Sequence, residues 1–534
     1  MNSVRKSNRT IFRLLAALLA LSVVFCMAGC AGKTKTNDPG ADRPTDKVTE
    51  TGKETETEKE TDAPEPKDQN KPAPDDSDFA DRDDLAYVLI YNPGIYDENL
   101  DRNEKLSTGA FGEWVDAAAV RSGEVAEDPE FSFFSQGNFA DEVKDMEVDL
   151  SGSRASVPQP TFKKGDSREF YYAESSSVKT GKFSCEYVGE HCCIWLMKGV
   201  KADGVGLDSI AGEFDGRIYD ADVENFGEPR YADVNGKIHI LFHPMENNTL
   251  GYFRPADLFS HDEATDAEAK QYGLNRDLAL IHLNAALLKD SRFEGMIYST
   301  LAHELQHLIN FTDFVEYNGE NFSSTWINES MSGYIEEKLY PGVKEEEGHL
   351  EEFARSEMIR HGQSMYNFDT GYRDIGVYGS VFLFSQYFEK LAGETVFKQF
   401  HDYWRKTFDP RLLTDAKALY ACVPESEAKK IDEAYDFPAD LSFSDDAERW
   451  MSKLTLDFYL SLLKYDSDDP EAYQNVEAQT LLYDEINPAE IEGGGRVIAA
   501  TKDGRFEIPS DSDQPLVYIG FDKDFNQITN IVVR

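Results

Sequence analysis

The sequence is poor in positive charge. Its 54 Lys and Arg residues stand against 100 Asp and Glu residues, so the formal net charge is −46 at pH 7. Nucleic acid and anionic membrane surfaces bind proteins through a basic face, and the deficit of positive charge therefore argues against both as main partners. The excess of acid instead indicates a solvated surface whose charges repel one another.

Cysteines are scarce as well. The 534 residues include six, and four of these, Cys185, Cys192, Cys193 and Cys422, lie beyond residue 30. None of the four has the C-x-x-C spacing of a cysteine zinc site or a redox site. Export would permit disulfides, but four cysteines allow three full pairings and the sequence does not choose among them. We expect structural or free thiols.

After the N-terminus the sequence has no hydrophobic run of the roughly 20 residues that a membrane-spanning helix needs. The N-terminus itself has four basic residues, then the apolar run LLAALLALSVVF, then Met-Ala-Gly-Cys. This ending resembles the lipobox of bacterial lipoproteins. The resemblance implies that residues 1–29 are a signal peptide and that Cys30 is acylated after cleavage. It also implies an extracytoplasmic protein that is lipid-anchored to a bacterial membrane.

Residues 31–78 have almost no hydrophobic content, with no aromatic, Leu, Ile or Met residue and one Val. Such a segment cannot bury enough apolar surface to offset the entropy that ordering would cost. We therefore predict that residues 30–83 are a disordered acidic tether, which holds a folded body away from the membrane.

The remaining chain has both strand-like and helix-like patterns, which predicts an α+β fold. Residues 84–200 include the runs REFYYAES and KFSCEYVGEHCCIWLM, and we predict a β-rich N-terminal domain there. Residues 201–470 contain the strand-like runs KIHILFHPM and LALIHLNAALL, and amphipathic helices follow from residue 293 to about residue 465. Residues 471–534 return to short strand-like runs and are predicted to form a small β-rich C-terminal region.

The segment TLAHELQHLINF contains the order H-E-x-x-H at His303, Glu304 and His307. At about 100° per helical residue the two histidines lie about 40° apart, and the apolar residues of the segment lie on the opposite face. We therefore expect a helix that buries its apolar face and presents two imidazoles to a cleft. Two histidines one turn apart can bind one tetrahedral Zn²⁺ ion, while the carboxylate of Glu304 can reach a water there rather than the metal.

A catalytic zinc site needs a third protein ligand, and the residues alone leave two candidates. Asp313 matches the spacing of metzincin-type motifs, in which the chain turns sharply at a Gly before the last ligand. Here Asn310 occupies the turn position, and Asn is the next best residue for it. Glu329 lies 22 residues after His307, far enough for a loop and the start of a second helix. We expect the small residues of the SMSG segment after Glu329 to let that helix approach the first.

The segments HELQHLINF, WINESMSGYIEE and YGSVFLFSQYF together resemble the hyicolysin family of bacterial zinc metallopeptidases. The upstream segments GEFDGRIYDADVENFG, KIHILFHPM and GYFRPADLF are similar to that family too, so the resemblance covers about residues 205–390. It implies a gluzincin-like zinc peptidase domain, β-rich in its upper part and helical in its lower part, that hydrolyses protein or peptide substrates. It also implies that His303, His307 and Glu329 bind the zinc ion and that Glu304 is catalytic.

One position departs from the thermolysin-like branch of these enzymes. Gly333 lies four residues after Glu329, where thermolysin-like enzymes have an acidic residue that orients a zinc ligand. The side chain that orients His303 or His307 must therefore come from elsewhere in the chain.

The sequence also offers candidates for the oxyanion donor and for the strand that pairs with the substrate. Tyr378 is the candidate donor to the oxyanion that forms during peptide hydrolysis, and His361 is a second candidate for this role. The strand-like run LALIHLN is the candidate edge strand on which an extended substrate pairs.

Two alternatives stay open at this point. One is a metzincin-like peptidase with Asp313 as the third ligand. The other is a surface binding lipoprotein whose β-rich flanks capture a ligand, with a metal site that is not catalytic. Metal analysis together with casein hydrolysis, with and without a chelator, would separate an enzyme from a binding protein.

The lipobox interpretation predicts the effect of Cys30→Ser. Without this thiol the N-terminus cannot be acylated, so the variant should move from the detergent phase to the aqueous phase in a detergent-partitioning assay. The matched control is Cys26→Ser, which removes the neighbouring thiol and should leave partitioning unchanged. A Cys30→Ser protein that still partitions into detergent would show that the N-terminal segment acts as a membrane helix.

Overall fold

The structure is a computed structural model. It describes residues 79, 82–94, 161–174, 177–229, 236–245, 249–258, 269–270, 273–275, 278–318, 324–341, 343, 353, 356–367, 376–406, 415–438, 441, 443–463, 480–482, 491–501, 504–508 and 515–534. These residues belong to one compact unit, Pro72–Arg534. The predicted signal peptide and Cys30 lie outside the described residues. Among the helices that are described, none has both the length and the hydropathy needed to cross a membrane.

The described strands form two sheets. In chain order they are β1 Tyr87–Tyr91, β2 Ser167–Glu174, β3 Ser177–Val188, β4 Cys192–Met197, β5 Ile238–His243, β6 Gly251–Phe253, β7 Leu280–Asn284, β8 Thr480–Leu482, β9 Arg496–Ala500, β10 Val517–Phe521 and β11 Val532–Val533. The larger sheet has the order β2-β3-β4-β5-β7-β6, and the smaller has the order β11-β10-β1-β9-β8.

The centre of the larger sheet is parallel. Strand β5 pairs in parallel with β4 on one side and β7 on the other. Their sequences CCIWLM, IHILFH and LIHLN are buried almost throughout, as expected for parallel strands that are covered on both faces. The expectation that LALIHLN forms an edge strand is wrong, because β7 lies between β5 and β6. The strand at that end of the described sheet is β6, which pairs antiparallel with β7.

The smaller sheet joins distant parts of the chain. Strand β1 lies between β10 and β9 and is antiparallel to both, with Leu89 opposite Ile519 and Ile498. The pairing of β4 with β5 likewise crosses residue 200. Strand pairing therefore extends across the boundaries near residues 200 and 470, and the division into separately folding domains stays a prediction.

The described helices are α1 Leu207–Glu213, α2 Tyr219–Phe226, α3 Glu294–Asn318, α4 Thr325–Leu339, α5 Glu357–Arg360, α6 Gly376–Ala392, α7 Val396–Lys406, α8 Asp415–Cys422, α9 Glu425–Ala434 and α10 Asp446–Leu463. A π-helical turn, Phe214–Ile218, joins α1 to α2. Sheets and helices together confirm the predicted α+β class. The four cysteines beyond residue 30 are buried free thiols, as expected.

Helix α3 is buried on all sides over its middle turns, residues 300–311. Its apolar face packs on β6 and β7, and its histidine face packs on α4. His303 and His307 are only 4% and 2% exposed. Helix α4 lies against the imidazole face of α3, and the expected cleft stays a prediction. A helix that is covered on both faces belongs to the interior of the protein.

Helix α4 lies between α3 and α6. The hydroxyl of Ser330 donates a hydrogen bond to the backbone carbonyl of Val381 at 3.0 Å. A Cβ atom at Gly333 would lie 3.7 Å from the Cβ atom of Phe382. The small residues of the SMSG segment thus allow α4 to approach α6, and the expectation that they serve the contact with the histidine helix is wrong for Ser330 and Gly333.

Buried polar side chains fix β6. The ring of Tyr252 stacks on that of His282, with centroids 4.4 Å apart. Nε2 of His282 lies 3.0 Å from Oδ2 of Asp257, just after β6. The backbone N–H of Ala173 donates to the hydroxyl of Tyr252 at 2.9 Å. Because these contacts join β6 to both β7 and β2, the strand has a fixed position beside α3.

Candidate metal centre

Three side chains from two neighbouring helices meet at one point. His303 and His307 lie one turn apart on α3, and Glu329 lies near the start of α4. Nε2 of His303 is 3.4 Å from Oε2 of Glu329, and Nε2 of His307 is 3.6 Å from Oε1. In the part of the chain that the structure describes, these residues are the one group of three or more possible metal ligands whose atoms all lie within 4.8 Å.

The spacing of these atoms fits a tetrahedral metal ion. Zinc bonds of about 2.0–2.2 Å to imidazole nitrogen and carboxylate oxygen place neighbouring ligand atoms about 3.3–3.6 Å apart. The distances of 3.4 and 3.6 Å agree with this value. The imidazole planes stand at 88° to each other, so the two rings approach the shared point from different directions. The residues present therefore fit zinc, and three ligands leave its fourth position for water or substrate.

Packing in the first turn of α4 fixes the carboxylate. Trp326 is buried and its ring lies edge-on to Tyr366 and Phe384, with centroids 5.0 and 5.5 Å apart. Ile327 is completely buried next to it. The first turn of α4 is therefore held by apolar contacts, and Glu329 follows one turn after Trp326.

The protonation of the cluster follows from its burial and its carboxylates. Burial lowers the pKa of His307 to about 4. Burial also acts to lower the pKa of His303, but its contacts with the carboxylates of Glu329 and Glu336 outweigh burial and raise that pKa to about 10. Burial acts to raise the pKa of Glu329, yet the two histidines outweigh it and the pKa lies below its usual value. The carboxylates therefore favour the protonated form of His303, whereas burial favours the neutral form of His307.

Glu304 is completely buried on α3, directly after His303. It is not one of the three groups that could share a metal ion. Its carboxylate raises the pKa of the His303 imidazole electrostatically. This effect is smaller than that of burial, which lowers the pKa, and smaller than those of the hydrogen bonds with Glu329 and Glu336, which raise it. Glu304 is thus close to the cluster but is not part of the ligand set.

Three more polar contacts join α3 and α4. Glu336 lies 3.1 Å from Nδ1 of His303 and accepts a hydrogen bond from the hydroxyl of Ser299. The side-chain amide of Asn310 donates to Oδ1 of Asn328 at 2.7 Å. The H-E-x-x-H motif and the position four residues after Glu329 do not indicate Glu336. Its position seven residues after Glu329, two turns along the same helix face, is the signal that could have found it.

The geometry of α3 argues against Asp313 as the third ligand. The helix continues to Asn318 without the sharp turn at Asn310 that a metzincin-like site needs. In a continuous helix Asp313 lies about 9 Å further along the axis than His307 and about 15 Å further than His303. Glu329, by contrast, already approaches both imidazoles within 3.6 Å.

The two candidate oxyanion donors lie on elements near α4. Tyr378 is half-buried in the first turn of α6, the helix that packs on α4. His361 lies directly after α5 and is also half-buried. The assignment of either residue to the oxyanion stays a prediction.

No family model matches the chain. It is similar to a neutral metalloprotease, ShpI, from Staphylococcus hyicus, with 27% identity over 224 residues. The aligned part is 40% of this chain and 49% of that protein, so the chain spans about half the length of the curated protein that it matches. A metallopeptidase is therefore a relative of this chain, and the cluster of His303, His307 and Glu329 could bind the metal of such an enzyme.

The geometry predicts different outcomes for Glu329→Ala and Asp313→Ala. Removing Glu329 leaves two histidines as ligands, so the purified variant should lose its zinc. Asp313→Ala should keep zinc at the stoichiometry of the unchanged protein, because its position lies beyond the reach of the cluster. Elemental analysis after dialysis measures the zinc content of both variants. Loss of zinc from Asp313→Ala with retention in Glu329→Ala would establish the metzincin-like alternative.

Proposed function

We propose that this chain is a zinc-dependent endopeptidase of gluzincin type, with His303, His307 and Glu329 as the zinc ligands. The observation that supports this most is the convergence of two imidazole nitrogens and one carboxylate within 3.4 and 3.6 Å on an H-E-x-x-H helix. The similarity to a neutral metalloprotease supports the reaction class. The segments that resemble hyicolysin-type enzymes include all three ligands.

Held by His303, His307 and Glu329, zinc would supply a water with a lowered pKa and would polarise the carbonyl group of the peptide bond. Glu304 then acts as the general base. Its carboxylate accepts a proton from the water while the water oxygen forms a bond with the peptide carbonyl carbon. Glu304 next donates this proton to the amide nitrogen as the carbon–nitrogen bond breaks. The products are a new carboxyl group and an amine, and the carboxylate of Glu304 is regenerated.

The burial of Glu304 suits this role. The residue is completely buried, so few bulk water molecules compete for its carboxylate. Electrostatic interactions are stronger in such a dry environment than in water. The oxyanion that forms on the peptide carbonyl needs a donor, and we assign this role to Tyr378.

Strand β6 is the element that we propose to align the substrate. It ends the described sheet, so an extended peptide can add to it as a further strand. It also packs directly on α3. A Cβ atom at Gly251 would lie 2.8 Å from Cγ2 of Thr300, which is one turn before His303. A peptide that pairs with β6 would therefore run beside the zinc ligands.

We further propose that the enzyme works outside the cytoplasm, attached to a bacterial membrane through acylated Cys30. The support is the order of basic residues, apolar run and Met-Ala-Gly-Cys at the N-terminus. The acidic segment that follows would let the catalytic part reach substrates at some distance from the lipid surface.

The mechanism predicts that Glu304→Gln separates catalysis from metal binding. Gln has nearly the same shape as Glu but cannot accept the proton, and general-base assistance typically contributes about 10²- to 10⁴-fold. We expect casein hydrolysis to fall by at least about 10²-fold, with zinc content and thermal stability nearly unchanged. Elemental analysis measures the zinc content, and a cleavage assay on the same preparation measures the hydrolysis rate.

The matched control is the unchanged protein after treatment with a chelator, which should lose activity and regain it when zinc is added. Undiminished hydrolysis by zinc-loaded Glu304→Gln would remove Glu304 from the mechanism. Loss of zinc from this variant would show that Glu304 is a ligand or a structural support.

A further inference from the structure

Glu336 contacts the zinc-ligand helix at two points. One carboxylate oxygen lies 3.1 Å from Nδ1 of His303, and the other accepts a hydrogen bond from the hydroxyl of Ser299. Glu336 is 6% exposed and Ser299 is 1% exposed, so water does not compete for these contacts. Both oxygens of a buried carboxylate thus have protein partners, and both partners are on α3.

The geometry of α4 explains how two of its carboxylates, the zinc ligand Glu329 and Glu336, can both contact the imidazole of His303. Glu329 and Glu336 are seven residues apart on α4, which places them about 20° apart around the axis and about 10 Å apart along it. Glu329 lies at the Nε2 edge of His303, 3.4 Å away, and Glu336 lies at the Nδ1 edge. The ring is therefore held from both sides by carboxylates of one rigid helix.

We propose that Glu336, supported by Ser299, is the positioning residue of the metal centre. Nδ1–H of His303 donates to Glu336, which leaves the lone pair on Nε2 and directs it to the shared point with His307 and Glu329. Glu336 occupies a different helical position from Gly333, where the thermolysin-like pattern has its acidic residue. This inference rests on the proposed zinc site.

A second buried carboxyl group near His303 provides a matched control. Asp222 on α2 is completely buried and acts on His303 electrostatically. Neither of its oxygens has a hydrogen-bond partner among the residues that the structure describes. Burial raises the pKa of Asp222 well above its usual value. Asp222→Asn therefore changes a buried carboxyl near His303 without removing a hydrogen bond from the ring.

The test is the zinc affinity of the full chain, measured by competition with a chelating dye. Glu336→Ala should weaken zinc binding by about 10- to 100-fold, the usual effect of removing such a partner. Glu336→Gln should bind with intermediate affinity, because its amide oxygen can accept from Nδ1–H but has no charge. Asp222→Asn should bind zinc like the unchanged protein. A ¹⁵N spectrum of the zinc-loaded protein should show a protected Nδ1–H of His303 that is absent in Glu336→Ala.

The outcomes are distinguishable. If the unchanged protein does not bind zinc, the proposed function fails. If it binds zinc and Glu336→Ala binds equally well, only the positioning role is overturned. Equal weakening by Glu336→Ala and Asp222→Asn would also overturn it, because a general effect of buried acids would then explain the result. If Glu336→Ala does not fold, Glu336→Gln decides, and an affinity equal to that of the unchanged protein overturns the role.

Discussion

The contact between α3 and α4 is the interaction on which the rest of the structure depends. It brings together ionisable side chains that are all nearly excluded from water, chiefly His303, His307, Glu329 and Glu336. An unpaired buried charge costs several kcal/mol, so these groups are tolerable only because each compensates another. The spacing of the atoms of His303, His307 and Glu329 also matches the ligand spacing of a divalent ion, which would add two positive charges beside the carboxylates of the site. One geometry thus satisfies both folding and metal binding.

The surrounding elements fix this contact from several sides. The sheet supports α3 through β6 and β7, and α6 supports α4 through Val381 and Phe382. Neither helix can shift without disturbing a packed neighbour, because interiors of this density have few voids. The same arrangement sets β6 next to Thr300 and so relates the end of the sheet to the ligand helix. A catalytic constellation needs this kind of rigid support, since small misplacements of the reacting groups cost large factors in rate.

Local patterns in the sequence predict the parts of the site that local geometry determines. The spacing of His303 and His307 on one helix face requires only the helical period, and the helix is found. Glu329 could be proposed from its distance along the chain, but its choice over Asp313 depends on whether α3 turns at Asn310, which the residues alone leave open. Glu336 was not predicted because the thermolysin-like pattern has its acidic residue four positions after the third ligand, and Glu336 lies seven positions after Glu329. The search for an acid on the same face two turns later would have found it.

The errors concern contacts between elements that are distant in sequence. The run LALIHLN has the pattern of a strand, and a strand is found there. Its place between β5 and β6 depends on which distant strands pair with it, and the run itself does not indicate this. Its buried residues on both faces are the sign of an interior strand. The pairing of β1 with β9 and β10, about 400 residues later, has no local signal.

The most direct test of the account is X-ray absorption at the zinc edge of the metal-loaded full chain. The account predicts two imidazole nitrogens and one or two further oxygens at about 2.0–2.2 Å, with no sulfur ligand. The same measurement on Glu329→Ala should lose the carboxylate contribution or the zinc itself. A sulfur ligand at about 2.3 Å, or a first shell without imidazole, would contradict the claim that α3 and α4 together hold the metal.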